Sequence, residues 1–182
     1  MRDRMEGSGD VALVAGASGG IGTAAVEALL DDPGISAVYA ASRRETPPAR
    51  LAGEARLHWQ QCDNSPAAVK KAVDLATQGG QSLARMVICN GMLHSDRCRP
   101  EKALEQIDPA CLQEVFAANA VVPVLWLQAA ARTLARRQRC VIAVLSARVG
   151  SITDNRLGGW YSYRSSKAAL NMLLRSAAIE LA

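Results

Sequence analysis

Aromatic side chains are scarce in this chain, one Phe, three Tyr and three Trp making up 4% of 182 residues. So few rings argue against a surface that stacks nucleic-acid bases. Charge of one sign is also lacking: 21 Lys and Arg face 17 Asp and Glu, a net +4. The basic residues are scattered except for Arg132, Arg136, Arg137 and Arg139, which read as a solvated helix end rather than a nucleic-acid patch, because cations suit a helix C-terminus. The five cysteines, Cys62, Cys89, Cys98, Cys111 and Cys140, form no CxxC pair with metal or redox spacing, so no metal site is expected and reduced intracellular thiols are the simplest reading. The start, "MRDRMEGSGD", has no apolar stretch of the kind that directs secretion. The longest apolar run, residues 120 to 131, is broken by Pro123 and Gln128. A soluble cytoplasmic protein is expected, with no membrane or nucleic-acid partner. No internal repeat, linker or low-complexity segment divides the chain, so residues 1–182 are expected to form one domain.

What is present is alternation. Short runs rich in β-branched residues, 11 to 15, 37 to 42, 56 to 61, 85 to 90 and 140 to 145, alternate with helical patterns, the mark of βαβ units around a parallel sheet. Between the first two strands, Ile21, Ala24, Ala25, Ala28 and Leu29 recur on one helical face, which Asp31, Asp32 and Pro33 bring to an end. A second helix is expected over 65–77, and a polar loop with a short helix over 92–107. Asp108 and Pro109 then start a long helix running to 137, with an apolar stripe from Leu112 to Leu134. The last helix starts near Ser162. No glycine, asparagine or proline closes it before Ala182, which reads as a fragment of a longer α/β domain.

The first strand leads into "GASGGIG", Gly16 to Gly22, and then straight into a helix. Glycines permit a tight turn and close approach of a pyrophosphate, whose charge the N–H groups at the helix N-terminus can meet. Gly16, Ser18, Gly19, Gly20, Ile21 and Gly22 are therefore expected to hold a dinucleotide. After the second strand comes "ASRRE", with Arg43 and Arg44 where a carboxylate would accept a ribose 2′-hydroxyl. Arginines there suit a 2′-phosphate, so NADP(H) is favoured over NAD(H), the bland alternative being a solvated loop. Asp63, past the third strand, either reaches the adenine or caps the next turn.

Tyr163 and Lys167, four apart at the start of a helix, share one face. A nearby ammonium favours the phenolate, bringing the tyrosine toward the range where it exchanges a proton with a carbonyl or alcohol oxygen. Tyr161 faces another way and is read as packing; Trp160 is either core or a wall of a substrate pocket. Asn119 lies in an apolar stripe four residues before Pro123, whose missing N–H leaves the Asn119 carbonyl free for another donor.

Together these residues resemble the short-chain dehydrogenases/reductases: "GGIG" in the loop, the polar strand-four end, Asn119 within a long helix, a serine after strand five, and Tyr163-x-x-x-Lys167 occur in that family's order. The run "SARVGSITDNRLGGWYSYRSSKAALN" looks most like the branch of the C-factor proteins and sniffer-type carbonyl reductases. The resemblance implies a Rossmann-like doubly wound parallel sheet with helices on both faces, here without the family's C-terminal strands. It implies NADP(H)-dependent reduction of a carbonyl or oxidation of an alcohol. Tyr163 would be the general acid/base, Lys167 would hold the nicotinamide ribose and lower the tyrosine pKa, and Asn119 would hold a water linking the lysine to solvent. Asn90 and Gly91 of "ICNG" stand where the family has "NNAG", so the register of that asparagine differs. The substrate-binding serine is Ser146, at the C-terminal end of a strand, with Ser151, 12 residues before Tyr163, the other candidate. Such enzymes pair into homodimers or tetramers through the two long helices. The competing reading is a dinucleotide-binding or cell-signalling relative without turnover.

Overall fold

The computed structural model describes residues 9–134 and 139–181. They form two compact units, Met1–Cys89 with Trp126–Val144, and Asn90–Leu125 with Leu145–Ala182.

The first unit holds the sheet: β1 (Asp10–Ala15), β2 (Ala37–Ser42), β3 (Leu57–Gln61), β4 (Ser82–Ile88) and β5 (Val141–Val144), all parallel, in the order β3-β2-β1-β4-β5. The order reverses at β1, and right-handed crossovers then put α1 (Gly20–Leu30) and α2 (Pro66–Thr77) on opposite faces, as doubly wound sheets require. Central strands β1 and β2 are buried nearly end to end, so they read as continuous apolar runs rather than alternating ones. Strand β4 begins three residues before its expected start. Asp10 pairs with Ser82 and the register shifts between Val11 and Ala12, a bulge at Ala84 that breaks the pattern a sequence reader follows. It also ends at Ile88, so Cys89, whose N–H still donates to the Ala15 carbonyl, and Asn90 lie past the strand.

Helix α1 is rotated from the expected face. Its buried residues are Gly22, Thr23, Val26 and Leu30, while Ile21 is 65% exposed and Ala25 and Leu29 are only partly covered. The glycine loop sets this rotation. A Cβ on Gly22 would stand 2.2 Å from the Gly16 carbonyl oxygen, so only glycine lets the helix sit so close to the loop. Thr23 completes the joint by donating to the carbonyls of Ala17 and Gly19.

In the second unit α3 (Pro109–Phe116), capped by Asp108, runs into a π turn over Ala117–Val121 and on into α4 (Val122–Thr133), whose residues from Trp126 on belong to the first unit. The π turn lies just before Pro123, which cannot donate to the carbonyl four residues back, so the ladder is disrupted there. The residues expected to extend this helix to 137, with Arg136 and Arg137, lie outside the described residues; Arg132 and Arg139 are exposed. By length and composition Pro109–Thr133 is apolar enough to cross a membrane, yet Asn119, Pro123, Trp126 and Ala130 along it are buried in the protein. Helix α5 (Tyr161–Glu180) packs against α3, the π turn and a short turn at Arg148–Gly150.

One expectation is corrected. Cys98 and Cys111, read as free thiols, are joined in a disulfide with Cα atoms 5.4 Å apart. The loop after β4 folds back onto the start of α3, a proximity that a 13-residue spacing does not announce. Cys62, Cys89 and Cys140 are free.

Replacing Gly22 by Ala is expected to lower the unfolding free energy by about 1–3 kcal/mol through overpacking. Gly20→Ala, where a Cβ meets nothing within 4 Å, is expected to be nearly neutral. Urea denaturation of the two variants tests the contrast; equal losses would mean the loop relaxes freely around Gly22.

Candidate active site

The first unit presents a glycine-rich turn before α1. Gly16 has φ of +77°, a left-handed turn that suits glycine, and its N–H and that of Ala17 both donate to the Ala41 carbonyl. This pins the loop to the end of β2. Gly19, Gly20 and Ile21 are exposed, and α1 begins without a side-chain cap, so N–H groups of its first turn face outward for an anion. Ser42 donates to Ser18 Oγ at 2.7 Å and accepts from the Arg44 N–H at 3.1 Å. The position at the end of β2 is thus occupied by a hydroxyl and not a carboxylate. These features fit a dinucleotide: an open, uncapped helix start, a turn no Cβ could enter, and cations beside it.

Arg43 and Arg44 are exposed, their carbonyls held by Gln61 and the Trp59 indole. Arg43 lines a cavity of about 710 Å³ with Gln60, Gln61, Asp63 and Lys71. Asp63 accepts from the Ser65 N–H at 2.8 Å, which holds its carboxyl below the usual range, and Ser65 in turn caps α2. Asp63 therefore performs the turn-capping role and also lines the cavity.

The second unit gathers Asn119, Gly91, Lys167 and Tyr163. Asn119, fully buried, accepts from the Met92 N–H at 2.6 Å and donates to the Met92 carbonyl at 2.8 Å and to Ser166 Oγ at 3.0 Å. Its side chain clamps the segment after β4 onto α5. Gly91 is caught in that clamp: a Cβ there would be 3.2 Å from both Asn119 Oδ1 and Lys167 Nζ. Lys167 is 3% exposed and its ammonium donates to the Leu145 carbonyl at 3.0 Å. Burial lowers its pKa from the ordinary lysine value, because the charged form loses water. The same ammonium stands 6.0 Å from the centre of the Tyr163 ring, which is half-buried and edge-on to Trp160.

The two candidate serines hydrogen-bond to other partners. Ser146 is exposed and donates to Asn171 Oδ1 at 2.6 Å. Asn171 lies two helical turns beyond Tyr163, about 12 Å along the axis at 1.5 Å per residue. Ser151 Oγ instead accepts from the Asp154 N–H at 3.2 Å, one residue after Gly150. Gly150 itself was missed in the sequence reading: a Cβ there would lie 2.8 Å from Lys167 Cβ, so glycine is what allows the turn after β5 to touch α5. Ser166, donating to the Tyr163 carbonyl while accepting from Asn119, was missed too; its place three residues after Tyr163 was the available signal. Tyr161, read as packing, lines a cavity with Arg164, Ser165 and Ala168. Among the described residues no group of His, Cys, Asp and Glu gathers to hold a metal ion.

A parallel α/β sheet with a glycine cradle before α1 defines a dinucleotide-fold protein. Residues 10–182 match the family model of the short chain dehydrogenases, and the chain belongs to that family. Over 79 residues, 43% of this chain, it is 38% identical to C-signal of Myxococcus xanthus, and the match spans 48% of that protein. In structure it is similar to carbonyl reductase Sniffer of D. melanogaster, with a TM-score of 0.82 and 25% identity over 95% of this chain and 75% of that one. It is also similar to an NADPH-bound carbonyl reductase from chicken fatty liver, with a TM-score of 0.78 and 25% identity over 95% of this chain and 71% of that one.

The sign of the Lys167 shift makes a prediction about stability. Its folded pKa lies below 10.5, so between the two values the unfolded chain binds more protons and the stability contribution of this residue rises with pH. The destabilisation of the wild type relative to Lys167→Met is expected to be full near neutral pH and to shrink as the pH is raised toward about 10. Urea unfolding of both proteins at several pH values measures it. A difference that grows with pH would show that the fold stabilises the ammonium instead.

Proposed function

We propose that the chain is an NADP(H)-dependent oxidoreductase that interconverts a carbonyl and an alcohol, with Tyr163 as general acid/base. The observation that carries this reading is the buried Lys167 ammonium beside the Tyr163 ring on α5. A tyrosine hydroxyl can give its proton to a carbonyl oxygen, and the phenolate so formed can take one back from an alcohol. Bound NADPH supplies the hydride. Gly16, Ser18, Gly19, Gly20, Ile21 and Gly22 would receive its pyrophosphate at the start of α1. Arg43 would read the 2′-phosphate, supported by its place on the cavity wall and by the absence of a carboxylate at the end of β2. Lys167 would hold the nicotinamide ribose, with Asn90 and Gly91 beside it, and Arg44 and Asp63 would flank the adenosine. Asn119 would keep Gly91 and Met92 on α5 and, through the carbonyl that Pro123 leaves without its usual donor, hold a water.

The substrate-oxygen hydroxyl is assigned to Ser151 in preference to Ser146, because the Ser146 hydroxyl is committed to Asn171. Ser151→Ala is expected to lower kcat about tenfold or more, in the range of losing one oriented donor. Ser146→Ala should change kcat by less than about threefold. The reverse order would return the role to Ser146.

A second reading, a dinucleotide-binding signalling protein without turnover, draws support from the likeness to C-signal. Tyr163→Phe separates them. It is expected to lower NADPH-dependent reduction of an aromatic quinone by about 10²–10⁴-fold while calorimetry shows NADPH binding retained. Wild-type protein that binds NADPH and reduces no carbonyl, with Tyr163→Phe indistinguishable from it, would favour the signalling reading. Binding of NADPH over NADH, lost in Arg43→Ala, tests the cofactor assignment in the same titration. We place the protein in the cytoplasm, acting on a small molecule and not on nucleic acid or membrane.

A further inference from the structure

Helix α5, which carries Tyr163 and Lys167, begins in an unusual way. Gly158, Gly159 and Trp160 are all left-handed, with φ of +64°, +62° and +53°. The residue before the helix, Trp160, has no side chain that can cap it. The first N–H groups of a helix need acceptors, normally from a Ser, Thr, Asp or Asn at that position. Here the acceptor comes from 61 residues upstream. Glu101, in the loop after β4, is 4% exposed; one carboxylate oxygen accepts from the Ser162 N–H at 3.2 Å and the other from the Ser162 hydroxyl. Its backbone carbonyl accepts from the Trp160 N–H, and a Cβ on Gly159 would be 3.2 Å from that same oxygen. Two of the three residues before Tyr163, Trp160 and Ser162, are thereby docked on one buried residue.

A carboxylate is a costly choice for this task. Burying it strips its water, and among the described residues Glu101 makes no ion pair. A local cap at position 160 would satisfy the same N–H groups in solvent at far lower cost. What Glu101 adds is geometry. Two carboxylate oxygens and one carbonyl define the position of the first turn from three directions, and the helix dipole favours the anion at that end. On the next turn Ser166 donates to the Tyr163 carbonyl and accepts from Asn119, so the backbone of Tyr163 is fixed both before and after its ring.

We propose that Glu101 is a positioning residue for proton transfer: through Ser162 and Trp160 it sets where Tyr163 stands, in a reaction whose chemistry rests on the function proposed above. It does not touch the reacting atoms. The reach of the effect follows from the sensitivity of such chemistry, in which a displacement of about 1 Å costs up to about 100-fold.

Glu101→Gln keeps the size of the side chain and one acceptor oxygen but removes the charge. With NADPH and phenanthrenequinone, kcat per folded molecule is expected to fall about tenfold or more while the KM for NADPH stays within about threefold. Glu101→Asp should recover part of the loss. A second readout is independent of activity. In protein labelled at the tyrosine Cζ carbon, the Tyr163 resonance, assigned with Tyr163→Phe, should move in Glu101→Gln, while that of Tyr39, stacked on His58 in the other unit, should not. If the variant is folded with an unmoved Tyr163 resonance and kcat within about twofold, Glu101 merely stabilises a helix end and the proposal is overturned. If the wild type turns over no carbonyl, the enzymatic reading fails, yet the resonance still decides the placement of Tyr163. Should Glu101→Gln fail to fold, Ser162→Ala removes one of the two contacts to the carboxylate and is judged by the same two readouts.

Discussion

The structure around α5 depends on keeping a lysine ammonium inside the protein without an ion-pair partner among the described residues. A buried cation is costly, and the compensation must come from dipoles and close contact. Lys167 finds one carbonyl, that of Leu145, and is enclosed by Gly91, Gly150 and Asn119. Each of those neighbours is constrained in turn. Gly150 has no room for a Cβ, one at Gly91 would be tight, and Asn119 spends its whole amide on Met92 and Ser166. The π turn and Pro123 belong to the same arrangement, since they interrupt the helix where Asn119 must point inward. Such a burden suits the role proposed for Lys167.

The sheet unit solves a different problem with smaller means. In the reading proposed here, its loop has to approach a pyrophosphate closely and then become a helix within four residues. Gly16 turns left-handed, Gly22 lets α1 lie against the Gly16 carbonyl, and Thr23 absorbs two carbonyls that the turn leaves behind. Ser42 ties the end of β2 to Ser18, which orients the segment bearing Arg43 and Arg44. Selectivity for a phosphorylated ribose, in the reading proposed here, follows from which side chains that tie leaves free.

The parts of the fold that were legible in the sequence rest on short-range signals. Strand and helix alternation, the cap Asp108, the glycine loop and the Tyr163 and Lys167 spacing are all local, and the elements appear where they were expected to within a few residues. The face of α1 was misread because counting apolar residues favoured Ile21 and Ala24, whereas packing against the glycine loop rotates the helix toward Gly22, Val26 and Leu30. The start of β4 was missed because a bulge breaks its pattern. The Cys98 and Cys111 pair and the Glu101 cap carry no spacing signature, being contacts between a loop and helices distant in the chain.

The sequence by itself determined the class of fold, the order of its strands and helices, and the glycine turn before α1, since each follows from local backbone preference and hydrophobic period. It also determined that Tyr163 and Lys167 share a face, because helical geometry alone places residues four apart together. Only the tertiary structure decided that Lys167 is buried, that the Ser146 hydroxyl is spent on Asn171, and that Glu101 caps the helix bearing Tyr163. Those outcomes depend on which distant segments exclude water from one another, and desolvation and long-range hydrogen bonds exist only once the chain has packed.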